Sequence, residues 1–401
     1  MTEINISPAD RVASVSEYYL QRKMQEVARL EAQGISVVSL GIGGPDTPPP
    51  AEAIDTLCRL VRRDDTHGYQ PGMGIPRMRE AFARWYDSHF GVRLDPATEI
   101  MPLIGSKEGI LHISLTFINP GDAVLIPNPG YPTYTSVSKL VGANIMYYDL
   151  KPENGWMPDF DALEAADLSK VKIMWVNYPH MPTGTGATPE LFRKLVDFGR
   201  RHSILIVNDN PYSFILNDKP LSILAAPGAR DIAIEMNSLS KSHSMAGWRI
   251  GMLAANPQFV SWIRRVKSNV DSGQFLPAME AAAAALNVSD KWYADLNTLY
   301  AERRTVAEEI ACELGCTFDP TQKGLFLWCR IPDSELSGEA LADRLLEKAR
   351  VFITPGFIFG SNGERYIRIS LCATPQNMRE ALRRIQLLKT TTNNDYNSLK
   401  S

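Results

Sequence analysis

Cysteine is scarce in this 401-residue chain. There are five, Cys58, Cys312, Cys316, Cys329 and Cys372, odd in number and scattered. That excludes the disulfide framework of a small secreted scaffold. Cys312 and Cys316 are close, but no second pair or histidine cluster completes a zinc pattern, so no metal is expected. The thiols are expected to be reduced and mostly buried. No apolar run approaches the ~20 residues that cross a bilayer. The opening Met-Thr-Glu-Ile-Asn-Ile-Ser lacks a basic stretch followed by an apolar one, so no signal peptide is expected. Excess charge is missing too: a net charge of -3 gives no electrostatic reason for nucleic acid or an anionic membrane as partner. There is no internal repeat, and no Gly-x-Gly-x-x-Gly after a first strand to support a nucleotide-binding α/β protein. The expectation is a cytoplasmic globular protein.

What is present fits that class: 44% hydrophobic and 22% charged residues, in a chain long enough for more than one domain. An amphipathic helix is predicted from about Pro8 to Gln33, with Tyr18 and Tyr19 able to pack on a core or lean over a site. Val37–Asp46 reads as a short strand entering a Gly-Pro turn, and Pro48–Pro50 open a helix to about Val61. His67–Gly74 is a glycine-rich loop that carries Tyr69.

Strand-like runs at Glu99–Ile104, Ala123–Pro127, Asn144–Asp149, Lys172–Asn177, Ile204–Asp209, Asp231–Met236 and Ile250–Ala255 then alternate with helical patterns. Near-continuous apolar strands of this kind predict a mostly parallel seven-stranded sheet covered by helices on both faces. Ligands of such sheets sit beyond the carboxyl ends of the strands. Gly105-Ser106, Asn177 and Asp209 fall there, and Lys241 follows a strand. Beyond about Phe275 the pattern changes to a long helix (about Asp290–Leu314). Short strands follow at Cys316–Asp319, Leu325–Ile331, Val351–Thr354 and Tyr366–Leu371, with helices at Ser337–Ala349 and Pro375–Leu388. A large domain over residues 46–275 is expected, with a smaller α+β domain from 1–45 and 276–401. The polar tail from Thr390 to Ser401 is expected to be loose.

Chemistry concentrates at Ser238-Leu-Ser-Lys241-Ser-His-Ser-Met-Ala-Gly-Trp-Arg249. A lysine forms Schiff bases with carbonyls when its amine is partly deprotonated. Hydroxyls and an arginine on the same turn suit a phosphate beside that amine. Together with Asn177-Tyr-Pro-His-Met-Pro-Thr-Gly184, Asn208-Asp209-Asn-Pro-Tyr212 and Tyr366-Ile-Arg368-Ile-Ser, this order of motifs resembles the fold-type I, pyridoxal-phosphate (PLP) dependent aminotransferases of class I/II. The resemblance runs over nearly the whole length. The Asn-Tyr-Pro opening is similar to the LL-diaminopimelate, alanine and methionine branches rather than the animal aspartate enzyme.

The resemblance implies a role for each motif residue. Lys241 would hold the cofactor and move the substrate α-proton. Asp209 would bond the pyridine nitrogen, and Tyr212 and Asn177 the phenolate oxygen. Arg249, Ser238, Ser240 and Ser106-Lys107 would seat the phosphate, with the Lys107 side chain itself turned to solvent. Tyr131 would stack on the ring. Tyr69 would reach the phosphate of a neighbouring subunit, which implies a homodimer with shared sites. Arg368, with the Gly43 N–H and Asn177, would bind the substrate carboxylate.

The implied reaction is ping-pong transfer of an amino group from an aspartate-, alanine- or LL-diaminopimelate-type donor to 2-oxoglutarate or pyruvate. A PLP-dependent C–S β-lyase on the same fold is the alternative; a non-catalytic PLP-binding regulator is the alternative of another class, and the DNA-binding domain it would carry is not expected before the first motif. His180 is expected to be an exposed loop histidine. Arg11, Arg22, Lys23 and Lys267 are equivalent candidates for a distal substrate carboxylate.

Overall fold

A computed structural model describes residues 6–398, with side chains through Leu388. In chain order its strands are β1 (Val38–Ser39), β2 (Ile100–Ile104), β3 (Ala123–Asn128), β4 (Asn144–Asp149), β5 (Val171–Val176), β6 (Leu205–Asp209), β7 (Ala233–Ser238) and β8 (Ile250–Ala254). A second set comprises β9 (Phe326–Arg330), β10 (Val351–Phe352), β11 (Thr354–Pro355) and β12 (Tyr366–Ser370). Seven of them form one sheet in the order β2-β8-β7-β6-β5-β3-β4. All run parallel except β8, which lies antiparallel between β7 and β2. This is the mostly parallel α/β sheet expected. Every residue of β3, β6, β7 and β8 is buried, because helices cover both faces.

Strand direction decides where chemistry can gather. β2, β5, β6 and β7 deliver Gly105-Ser106, Asn177, Asp209 and Ser238–Lys241 to one edge of the sheet. Because β8 runs the other way, Arg249, immediately before its first residue, arrives at that same edge. The β7–β8 connection is thereby both the lysine loop and the arginine loop.

A separate core lies around the antiparallel sheet β11-β12-β9 and the helix Asp290–Glu313. β1 pairs in parallel with β10, so the chain's beginning joins this part. The helix Leu276–Ala285 packs against Ala51–Leu60 and Pro76–Phe90 beside the large sheet.

Several predicted elements change. Instead of one helix from Pro8, there is a short turn at Asp10–Val12 and a helix over Tyr19–Ala32. Residues 6–14 are all exposed, so a helix there would have no face to bury. The strand expected from Asp231 opens as a helical turn, Ala229–Ile232, before β7. Cys316–Asp319 forms a single bridge, Thr317 with Arg330, rather than a strand. Val351–Thr354 divides between β10 and β11, in two different sheets. From Thr390 the last helix continues to Ser398, and residues 399–401 of the expected loose tail lie outside the described ones. Only Cys316 and Cys329 are buried, while Cys58 and Cys312 are exposed and Cys372 is half-buried, so the thiols are less buried than expected. No helix among the described residues is long and apolar enough to cross a membrane.

Candidate active site

A cavity of about 520 Å³ opens at the strand edge, between the large sheet and the β9–β12 sheet. Ser106, Lys107, Tyr131, Asn177, Asp209, Tyr212, Ser238, Ser240, Lys241, Arg249, Gly43 and Arg368 all line it. Residues spread over 326 positions of sequence are thus brought together by topology.

Lys241 sits in the one-turn helix Leu239–Ser242, which Ser238 caps by accepting the Ser240 N–H at 3.1 Å. Its Nζ donates to the Gly43 carbonyl. Burial lowers the amine below the ordinary lysine range, and the nearby Arg368 and Arg249 cations push the same way. A neutral, nucleophilic amine is therefore easier to reach here than in water.

Asp209 ends β6 with its carboxyl buried. Tyr134 donates to Oδ2 at 3.2 Å, while Oδ1 has no partner among the described residues. Burial pushes the carboxyl up to about 7. A buried, half-satisfied carboxylate calls for a donor from a ligand, and a ring N–H is such a donor. Asn177 is held by both ends of its amide: Nδ2 donates to the Asp209 carbonyl, and Oδ1 accepts the Met181 N–H at 2.7 Å.

Arg249 has a left-handed backbone (φ 58°), and its Nη1 donates to the Ala246 carbonyl at 2.7 Å. Its guanidinium lies over Gly105, where a Cβ would come within 2.0 Å of Nη2. Gly105 (φ 76°, ψ 151°) occupies a conformation open only to glycine. Ser106 begins the 12-residue helix that follows, so its N–H faces the same hollow as Arg249 and the Ser238–Ser240 hydroxyls. The donor set suits a phosphate. Lys107 is exposed, as expected, with its Nζ 5.6 Å from the centre of the Tyr18 ring.

On the opposite wall Arg368, in the central strand β12, is buried. Nη2 donates to the Gly41 carbonyl at 2.9 Å, the guanidinium lies 3.8 Å from the Phe326 ring centre, and Nε has no partner. Burial pulls its pKa down to about 10. No carboxylate among the described residues pairs with it, so the wall offers an unneutralised cation. Gly43 faces the same space, and a Cβ there would strike the Phe326 ring.

The family described as aminotransferase class I and II covers residues 35–385. The chain belongs to that family. An LL-diaminopimelate aminotransferase of Aquifex aeolicus is 40% identical over 386 residues, 95% of this chain and 99% of that one. One from Dehalococcoides mccartyi is 38% identical over 381 residues, 94% and 98% of the two chains. Among solved structures, BacF from Bacillus subtilis superposes with a TM-score of 0.92 at 34% identity, covering 96% of this chain and 98% of that one. The protein is an aminotransferase of the fold-type I class.

Tyr69 is 93% exposed and lies outside its own chain's cavity, where a residue directed at a neighbouring subunit would be. Other expectations fail within this aminotransferase. His180 is buried, not exposed, and its Nδ1 pairs with Thr183 Oγ1 at 2.8 Å. None of the four distal-carboxylate candidates lines the cavity. Arg11 is exposed, Arg22 leans on Tyr19, Lys23 pairs with Glu26 and Asp343, and Lys267 is buried against Glu108 and Asp271. Sequence reasoning missed Tyr134, Phe326 and Met181. Tyr134 stands one turn after Tyr131 in the helix Pro132–Leu140, a spacing that could have revealed it.

Proposed function

We propose that this aminotransferase holds pyridoxal 5′-phosphate on Lys241 and moves the amino group of an L-amino acid to 2-oxoglutarate or pyruvate. The observation that carries the reading is one buried lysine amine facing a buried carboxylate with a free oxygen and a buried arginine with no counter-ion. Ser106, Lys107, Ser238, Ser240 and Arg249 would hold the phosphate. Asp209 Oδ1 would accept the ring N–H, Tyr131 would lie on the ring face, and Tyr212 and Asn177 would donate to its oxygen. When bound, the cofactor supplies the electron sink that makes the substrate α-proton acidic. Arg368, Asn177 and the Gly43 N–H would fix the substrate carboxylate, which points the α-carbon at Lys241. Once the substrate amine replaces it at the cofactor carbon, the freed Lys241 Nζ would take up the α-proton, a task suited to an amine whose pKa burial has lowered.

The names of the relatives favour LL-diaminopimelate within the aspartate-, alanine- and diaminopimelate-type donors. Exposed Tyr69 supports a homodimer in which it enters the neighbouring site. We also propose the division into a large unit, 46–275, and a smaller one, 1–45 with 276–401, whose first helix, Leu276–Ala285, packs on the large unit, in a cytoplasmic protein. Purified protein should absorb in the visible-edge band of a lysine-bound pyridoxal, and Lys241→Ala should lose both that band and at least about 10³-fold in turnover. Full activity in Lys241→Ala would end the reading. A donor panel with 2-oxoglutarate assigns the substrate, and release of ammonia and pyruvate from cystathionine without any oxo acid would indicate a lyase.

A further inference from the structure

Behind the proposed phosphate seat lies a buried charged cluster with no part in the chemistry above. Lys267, 2% exposed, ends the helix Pro257–Lys267 and donates from Nζ to Asp271 Oδ2 and, at 3.4 Å, to Glu108 Oε1. His112 Nε2 meets the same Glu108 oxygen at 2.9 Å and lies 3.9 Å from Asp271. Two carboxylates and a histidine at this range could hold a cation, but the Lys267 ammonium already supplies the positive charge. The cluster is a tie rather than a metal site.

What it ties is specific. Glu108 Oε2 accepts the Ile104 N–H at 2.5 Å, which fixes the turn where β2 passes through Gly105 into Ser106. Burial would raise this carboxyl, yet the His112 hydrogen bond, the Ile104 N–H and Lys267 together hold it down at about 2. Asp271 Oδ1 accepts the Gly273 N–H at 2.9 Å, and the next residue, Gln274, donates from Nε2 to the Arg249 carbonyl at 3.0 Å. Both halves of the seat, Gly105-Ser106 on one side and Arg249 on the other, therefore hang from one buried lysine. Arg249 needs such support, because a left-handed backbone is strained for a residue with a side chain.

We propose that Lys267, through Glu108 and Asp271–Gln274, is a positioning residue that sets the spacing of the phosphate seat. This rests on the cofactor reading given above. The prediction concerns phosphate alone: the cluster touches neither the ring nor the aldehyde end. The full chain freed of cofactor is titrated with pyridoxal 5′-phosphate and, separately, with pyridoxal, and the ratio of the two Kd values is taken as phosphate discrimination. Lys267→Met should lower that ratio about tenfold and Gln274→Ala several-fold, each with the pyridoxal Kd within twofold of wild type. Gln274 is only half-buried, so its variant decides the matter even where Lys267→Met does not fold. Equal loss for both ligands, or an unchanged ratio in Gln274→Ala, would overturn the proposal. If wild type bound neither form, the cofactor reading would fall and this inference with it, a result distinct from failure of the tie.

Discussion

Replacing Arg368 by methionine should stabilise the substrate-free chain while removing its ability to bind a carboxylate. Arg368 is 4% exposed, and burial pulls it well below the ordinary guanidinium range, to about 10. That shift corresponds to roughly 3 kcal/mol against the charged form in the folded state. The sign follows from a depressed base: the penalty applies in full at every pH below about 10, and it fades only as pH rises beyond that. Stacking on the Phe326 ring returns about 1–2 kcal/mol. The Gly41 carbonyl is not orphaned by the change, since Thr354 Oγ1 also donates to it at 2.8 Å. A methionine, flexible and apolar, would lie among Phe326, Phe359 and Met181. The net gain is about 1–2 kcal/mol, or about 1–3 °C in Tm for a chain of this size. Against that, losing charge-assisted bonds to the substrate carboxylate costs roughly 3 kcal/mol or more, at least about a hundredfold in kcat/KM. Thermal melts with and without 2-oxoglutarate test both halves. Wild type should gain Tm with the oxo acid, and Arg368→Met should start higher and gain nothing. A variant that melts well below wild type, or that still responds to 2-oxoglutarate, would refute the argument.

Two other changes probe the opposite wall. Asp209, raised from 3.8 to about 7, adds stability to the cofactor-free chain below about pH 4 that is lost as pH climbs through 7, roughly 4 kcal/mol in all. Asp209→Asn should flatten the fall in Tm between pH 5 and 8, and an unchanged slope would count against a buried carboxylate there. Gly105→Ala places a Cβ on the Arg249 guanidinium and forces alanine into a glycine-only conformation. It should weaken pyridoxal phosphate binding at least about tenfold, read by equilibrium titration, with a stability cost of about 1–3 kcal/mol.

Strand ends were legible because buried parallel strands are nearly continuous apolar runs and the rule for their carboxyl ends is geometric. Asn177, Asp209 and Lys241 could be placed on that basis, before any contact was known. The antiparallel turn of β8 was not legible, since Ile250–Ala254 reads the same in either direction; yet that reversal is what brings Arg249 to the site. The helix expected from Pro8 failed for a related reason. Periodicity counts apolar residues but does not reveal whether a surface exists to bury them, and residues 6–14 all stay exposed. His180 was misjudged because a polar side chain in a Pro-rich loop usually faces water. Here Thr183 satisfies Nδ1, which lets the ring be buried and neutral, its pKa pushed down to about 3. The tie through Lys267 was legible only in part: Asp271 lies four residues on, one helical turn away, but Glu108, which joins the tie to Gly105-Ser106, lies 159 positions away.

Burial disfavours the charged form of three groups on the cavity wall, Lys241, Asp209 and Arg368, and each carries its shift for the same reason. A core that satisfied itself would pair Asp209 with one of the two cations. The fold prevents this by mounting them on different elements, Asp209 at the end of β6, Lys241 beyond β7 and Arg368 in the separate β12 sheet. On the proposed reading, the groups that would relieve each one, a ring cation for Asp209, a carboxylate for Arg368 and an aldehyde carbon for Lys241, would belong to one cofactor and one substrate. Stability withheld from the unliganded chain would then become binding energy directed at those chemical groups. Substitutions that relieve the walls should therefore raise Tm and lower activity together, as argued above for Arg368.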